Sequence, residues 1–154
     1  MSLAGAAGLM DVDADAGSPC PEPEGDALDP WPKGISAITL FAEDLRETKR
    51  FYQEVFGLPV YYEDENSVVF NFGNTLINVL VATEAPELIE PAPVADPAAG
   101  ARVQFTITVD DVDATCADLA KRGVTLLNGP MDRPWGIRTA AFRDPAGTIW
   151  EIAK

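Results

Sequence analysis

The stretch Ile38-Thr39-Leu40-Phe41-Ala42-Glu43-Asp44-Leu45 returns 67 residues later as Phe105-Thr106-Ile107-Thr108-Val109-Asp110-Asp111-Val112. Each copy opens with alternating side chains, the pattern of a strand with one buried face. Each then meets an aspartate placed to cap a helix. Asp44 has Glu47 three residues on, a capping-box spacing, and Asp111 has Asp113 to add negative charge to the first turn. The first helix carries Leu45, Tyr52, Val55 and Phe56 on one face, and the second carries Val112, Cys116, Leu119 and Ala120. Gly57 and Gly123 stop them, the second after Lys121 and Arg122.

Three strand candidates follow each glycine. In the first half they are 59–64, 67–72 and 75–81. In the second they are 124–127, 137–143 and 148–153, with Pro130 and Pro134 breaking the connection after the first. The expected fold is therefore α+β, a duplicated β-α-β-β-β module. One module alone would leave an apolar sheet face and open edges, so the two must pair, within one chain or between two.

The flanks differ in composition. Residues 1–33 hold seven acids and one base, are rich in Gly, Ala, Pro and Asp, and lack an apolar period. Such a segment cannot bury enough surface to offset its ordering entropy and is expected to be disordered. Residues 84–100, rich in proline and alanine, read as a semi-extended linker between modules at 34–83 and 101–154.

The whole chain has 154 residues, 25 acids against 11 bases and a formal charge of −14. A polyanion is repelled by nucleic acid and by anionic membranes, so neither is an expected partner. No run of 18 apolar residues is present, and the first ten residues lack the pattern of a secretion signal. Two cysteines, Cys20 and Cys116, suit a reducing cytoplasm. There is no histidine. That removes His-dependent nucleophiles, the imidazole base and every His-ligated metal site.

The Asp44-Leu45 start, Phe51-Tyr52 before Phe56-Gly57-Leu58, and Asp144-Pro145-Ala146-Gly147 leading into Trp150-Glu151-Ile152, together with the repeat, resemble the glyoxalase/bleomycin-resistance/extradiol-dioxygenase superfamily, also called vicinal oxygen chelate proteins. The resemblance covers residues 34–154 and implies a mixed sheet of two paired modules curled around a cleft. It also implies a metal site on four residues, from the first and last strand of each module. Those positions fall here on Ala37, Asn78, Gln104 and Glu151, and strand alternation puts all four on the cleft face. Alanine cannot ligate, and two amides with one carboxylate are too few donors for zinc, nickel or iron. No metal cofactor is therefore expected, beyond a weakly held divalent cation at Glu151.

Further cleft residues follow from hairpin register. Pairing about Gly73-Asn74 sets Asn71 and Val69 beside Asn78. Pairing Arg143 with Thr148 would set Arg138 diagonal to Glu151, as an ion pair or a polar anchor for a ligand. Phe41 has cleft parity, and Tyr61 or Tyr62 must share it. The Pro134-Trp135-Gly136 step resembles the antibiotic-binding branch of the family. Trp135 would stack on a ligand, or else plug the sheet end or a dimer interface.

The leading expectation is a metal-independent, homodimeric binder of a partly aromatic small molecule, sequestering a toxic or antibiotic compound. One alternative is a glyoxalase-like lyase or isomerase, or a dioxygenase-related enzyme, with Glu151 as general base or with an atypical divalent site. Another is a partner module that binds through its acidic tail.

Overall fold

Both helices start where their aspartates allow. The computed structural model describes residues 30–154, so the acidic leader expected over 1–33 lies outside the described residues but for its last four. Strand β1 (Ala37–Ala42) runs into α1 (Leu45–Glu54). The Asp44 carboxylate accepts from the Glu47 backbone N–H at 2.9 Å, and the Thr48 hydroxyl donates to the Asp44 carbonyl at 2.8 Å. Strands β2 (Tyr62–Glu63), β3 (Ser67–Asn71) and β4 (Leu76–Val81) complete the first module. The second repeats the order with β5 (Gln104–Thr108), α3 (Val112–Lys121), β6 (Leu126–Asp132), β7 (Arg138–Arg143) and β8 (Ile149–Ala153). Asp111 caps α3 by accepting from the Ala114 N–H at 2.9 Å.

Each module is a four-stranded mixed sheet, in the orders β1-β4-β3-β2 and β5-β8-β7-β6. The opening strand lies parallel to the last, and the rest is an antiparallel meander. This is the expected α+β duplication. The helix-side faces of both sheets enter one hydrophobic core, with Leu40, Phe70 and Val79 from the first and Ala140, Phe142, Trp150 and Ile152 from the second. Helix α1 is shared between them. Tyr52 stacks on Phe70 at 5.0 Å between ring centroids, while Phe56 meets Trp150 edge-on, also at 5.0 Å. Phe72, at the end of β3, stacks on Trp150 at 5.3 Å. Burying rings of this size stabilises the fold by about 1.5–3 kcal/mol each. The Arg122 guanidinium, just past α3, donates to the Val55 carbonyl at 2.8 Å and so caps the end of α1.

Between the modules, the expected plain linker is partly helical. A 3₁₀ turn at Ala82–Glu84, a short α2 (Pro86–Ile89) and a second 3₁₀ turn at Pro97–Ala99 lie there. Pro86 and Pro97 occupy the first helical position, where a missing N–H costs nothing. Ala120, expected on the buried face of α3, is exposed, and Val112, Cys116 and Leu119 form that face.

Strand β6 is longer than the prolines suggest. It passes through Gly129-Pro130 with register shifts between Leu126 and Asn128 and between Asn128 and Met131. At such irregularities the proline takes no ladder bond from its partner, so the strand survives it. Gly129 makes this possible. It has φ +82°, and a Cβ there would sit 2.5 Å from the Thr139 carbonyl oxygen and 2.7 Å from the Ala140 Cα.

The two modules are also joined by a buried polar knot. Asp144, only 4% exposed, accepts from the Tyr52 hydroxyl at 2.7 Å, the Trp150 indole N–H at 3.2 Å and the Thr148 backbone N–H at 2.9 Å. Burial pushes the Asp144 carboxyl above its ordinary range, and the donated bonds pull part of the way back. Burial, and then the neighbouring Asp144 charge, also hold the Tyr52 hydroxyl protonated far above its ordinary range.

Two predictions follow from this packing. Gly129→Ala combines a forbidden φ with a backbone clash and should lose about 3 kcal/mol in urea unfolding, whereas Gly136→Ala should lose only about 1–2; Gly136, at φ +93°, has open space around it. For Asp144, a raised folded pKa means that its favourable contribution is complete below the unfolded value. The contribution fades as pH rises through the folded value. The stability of the parent minus that of Asp144→Asn should therefore fall as pH rises from about 4 and then level off, read from urea midpoints across pH.

Candidate functional site

The outer faces of the two sheets, turned away from the shared core, carry the remaining polar side chains. On the first sheet Thr39 pairs with Asn78 and Ala37 with Leu76, so Ala37 and Asn78 are diagonal neighbours. Val69 lies opposite Asn78, Asn71 opposite Leu76, Tyr62 opposite Val69 and Phe41 beside Leu80. The expected grouping of Ala37, Phe41, Asn71 and Asn78 on one face therefore forms, with Tyr62 rather than Tyr61 as its tyrosine. Asn71 is engaged locally, accepting from the Gly73 N–H at 2.7 Å. The Asn78 amide N–H₂ is 3.4 Å from the Thr39 hydroxyl, and its Oδ1 is buried with no partner among the described residues.

On the second sheet Gln104 pairs with Ile149 and Thr106 with Glu151, which makes Gln104 and Glu151 diagonal neighbours in the same way. Gln104 is exposed, whereas Glu151 is 5% exposed. Its Oε1 accepts from the Thr106 hydroxyl at 3.1 Å, and among the described residues no cation lies within ion-pair distance of it. A buried carboxylate needs compensation, and here one hydroxyl supplies it.

The structure thus arranges the four cleft positions as two pairs on two sheets, with the core between those sheets, and not as one quartet within a chain. Their donors do not fit the family's metal. Ala37 offers none, the first sheet adds one amide, and the second adds an amide and a carboxylate. Among the described residues no group of three or more Cys, Asp or Glu side chains is placed to hold an ion.

One expected neighbour of Glu151 is elsewhere. The β7–β8 register is Arg143 to Ile149 and Ala141 to Glu151, one residue removed from the expected pairing. The slip turns Arg138 to the helix side, because side chains alternate along a strand. There it binds Asp113 of α3 at 2.7 and 2.9 Å and Asp132 at 3.0 Å. These bonds raise the Arg138 guanidinium above its ordinary range and lower the Asp113 carboxyl. Arg138 therefore forms no pair with Glu151 and lies on the opposite face of the sheet from it. The register differs from the expected one because Asp144 donates its backbone N–H to the Thr148 carbonyl and the Gly147 N–H donates to the Asp144 carbonyl, so the tight turn spans 144–148.

Trp135 lies in the hairpin between β6 and β7. Arg133 clamps that hairpin through its backbone to Ile137, its Nε to the Thr139 hydroxyl at 2.8 Å and its Nη2 to the Asn128 amide oxygen at 3.1 Å. The indole is half-buried, and its N–H is buried without a partner among the described residues. Sequence reasoning missed Arg133, whose only signal was its place in a proline-bounded loop. It also missed Asp144 as a buried acceptor, although its spacing from Trp150 was visible.

The family model for the glyoxalase/bleomycin resistance protein/dioxygenase superfamily matches residues 34–152. An uncharacterised protein of Bacillus subtilis, YraH, is 34% identical over 121 residues, covering 76% of this chain and 94% of its own. The virulence protein STM3117 of Salmonella typhimurium is 25% identical, covering 78% and 83%. Among solved structures, a glyoxalase/bleomycin resistance protein/dioxygenase from Nocardioides superposes with a TM-score of 0.74 at 21% identity, over 82% of this chain and 85% of that one. A lactoylglutathione lyase from Agrobacterium tumefaciens gives 0.64 at 24% identity, over 79% and 93%. Repeat, topology and family match agree, and the chain belongs to the glyoxalase/bleomycin resistance protein/dioxygenase superfamily.

Proposed function

We propose that the protein binds a basic, partly aromatic small molecule without a metal, and in doing so sequesters it. The observation that carries this reading is Glu151, a buried carboxylate with a single hydroxyl donor and no cation within ion-pair distance among the described residues. A ligand ammonium or guanidinium would supply the missing charge. The unpartnered Asn78 Oδ1 and Trp135 N–H are two further buried groups that a ligand would satisfy. Trp135 adds a flat stacking surface on a clamped hairpin, so little entropy is lost on binding.

The half-sites sit on separate sheets, and a second copy completes the reading. Docking the outer face of the first sheet on the outer face of another copy's second sheet would bring Asn78 and Phe41 to Gln104, Glu151 and Trp135. The two cysteines suit action in the cytoplasm. Among the described residues no helix is long and apolar enough to cross a membrane.

An enzymatic reading draws on the same carboxylate, since Glu151 has an oxygen that Thr106 does not occupy and could abstract a proton from a bound substrate. Glu151→Gln separates the two, because an isosteric amide ends proton transfer but keeps the shape of the site.

The test is calorimetric titration of the full chain with metal-free bleomycin as a basic aromatic probe, in excess chelator. Binding should persist in chelator, weaken about tenfold or more in Glu151→Gln and weaken by a similar factor in Trp135→Ala. Unchanged affinity in Glu151→Gln, or a stoichiometric transition metal whose removal abolishes binding, would overturn the reading. Light scattering at the titration concentration should give twice the chain mass.

A further inference from the structure

We infer that a cavity at the seam between the modules binds a small zwitterion of the α-amino-acid type, its carboxylate on Arg102 and Arg143 and its ammonium on Glu43. The cavity has a volume of about 280 Å³. Three parts of the chain line it and leave it open to solvent on one side: the end of β1 with Glu43, the connection at 94–97 and 100–103, and the β7–β8 turn. It shares Thr39 and Phe41 with the outer-face residues described above, but not Asn78, Gln104, Trp135 or Glu151. Its size lies just below the range usual for drug-sized ligands, which suits a metabolite.

The cations are the first argument. The chain has more than twice as many acids as bases, so an arginine finds a carboxylate easily. Arg50 and Arg122 pair with Glu54 and Asp118, Arg138 pairs with Asp113 and Asp132, and Arg133 bonds Thr139 and Asn128. Three arginines, Arg46, Arg102 and Arg143, make no side-chain ion pair or hydrogen bond among the described residues. Two of those three line this one cavity. Paired guanidinium forks match a carboxylate geometrically as well as in charge.

The acids are the second argument. Asp96 and Glu43 also line the cavity. Asp96 has a local task, accepting from the Ala98 N–H at 2.8 Å to cap the 3₁₀ turn. Glu43 has none among the described residues. Two free cations beside one free acid fit a ligand that carries both a carboxylate and an ammonium. Phe41, Val94 and Val103 supply an apolar wall for a side chain.

The inference is tested by NMR titration of the full chain with L-phenylalanine, benzoate and phenethylamine, which present both charges, the anion alone and the cation alone. L-phenylalanine should saturate the backbone signals of Gly100 and Gly147 and bind more tightly than either fragment. Arg102, Arg143 and Glu43 are all exposed, so their variants should melt with the parent protein. The double variant Arg102→Gln/Arg143→Gln should weaken L-phenylalanine about tenfold or more and weaken benzoate as well, while Glu43→Gln should weaken L-phenylalanine and spare benzoate. The inference is overturned by phenethylamine binding as tightly as L-phenylalanine, by unchanged affinity in the double variant, or by no saturation up to about 10 mM.

Discussion

The hydrogen bond from Tyr52 to Asp144 spans 92 residues of sequence and ties a helix of the first module to a turn of the second. Around it the modules share one core. Tyr52 also stacks on Phe70 of its own sheet and meets Trp150 of the other edge-on, at 6.0 Å between centroids. The Trp150 indole donates to the same Asp144 oxygen as the Tyr52 hydroxyl. Donors of such different origin must be held together for one buried carboxylate to be tolerated. The polar knot therefore specifies the relative placement of the modules, while the rings around it supply most of the burial energy.

That placement determines what the outer faces can do. With both helix-side faces spent on a common core, the strand positions facing the other way are left to water, to ligand or to a second copy. Position parity alone decides which residues those are, and one residue of slip exchanges the two sets. Arg138 shows the consequence. Moved to the helix side, it joins Asp113 and Asp132 in a structural cluster, and among the described residues no cation lies within ion-pair distance of Glu151.

Much of this was legible in the residues. The repeat gave the module order, because apolar periodicity and capping aspartates are local signals that the chain obeys. Parity placed Ala37, Asn78, Gln104 and Glu151 on outer faces, since alternation survives as long as a strand is unbroken. Two kinds of error came from tertiary context. The end of the β7–β8 turn depended on how Asp144 satisfied its own hydrogen bonds, and that shifted a register. The length of β6 depended on Gly129 lying against Thr139 and Ala140, a close approach that no single-strand pattern reveals. The division of the four cleft positions into two pairs was also invisible, because it follows from which faces the shared helix α1 draws together.

Two buried carboxylates flank Trp150 in the sequence, and the contrast between them separates architecture from binding. Asp144 is surrounded by a hydroxyl, an indole and a backbone N–H, all supplied by the fold, so a ligand has nothing to add there. Glu151 is as deeply buried, yet among the described residues only the Thr106 hydroxyl donates to it. In a folded chain an acid left so poorly compensated is costly. Arg133, in the neighbouring hairpin, is committed to Thr139 and Asn128, and Arg143, on the same face of β7, makes no ion pair with Glu151. Asp144 has three donors from the fold and Glu151 has one among the described residues, and the proposed binding of a positive charge rests on that difference rather than on the missing metal ligands.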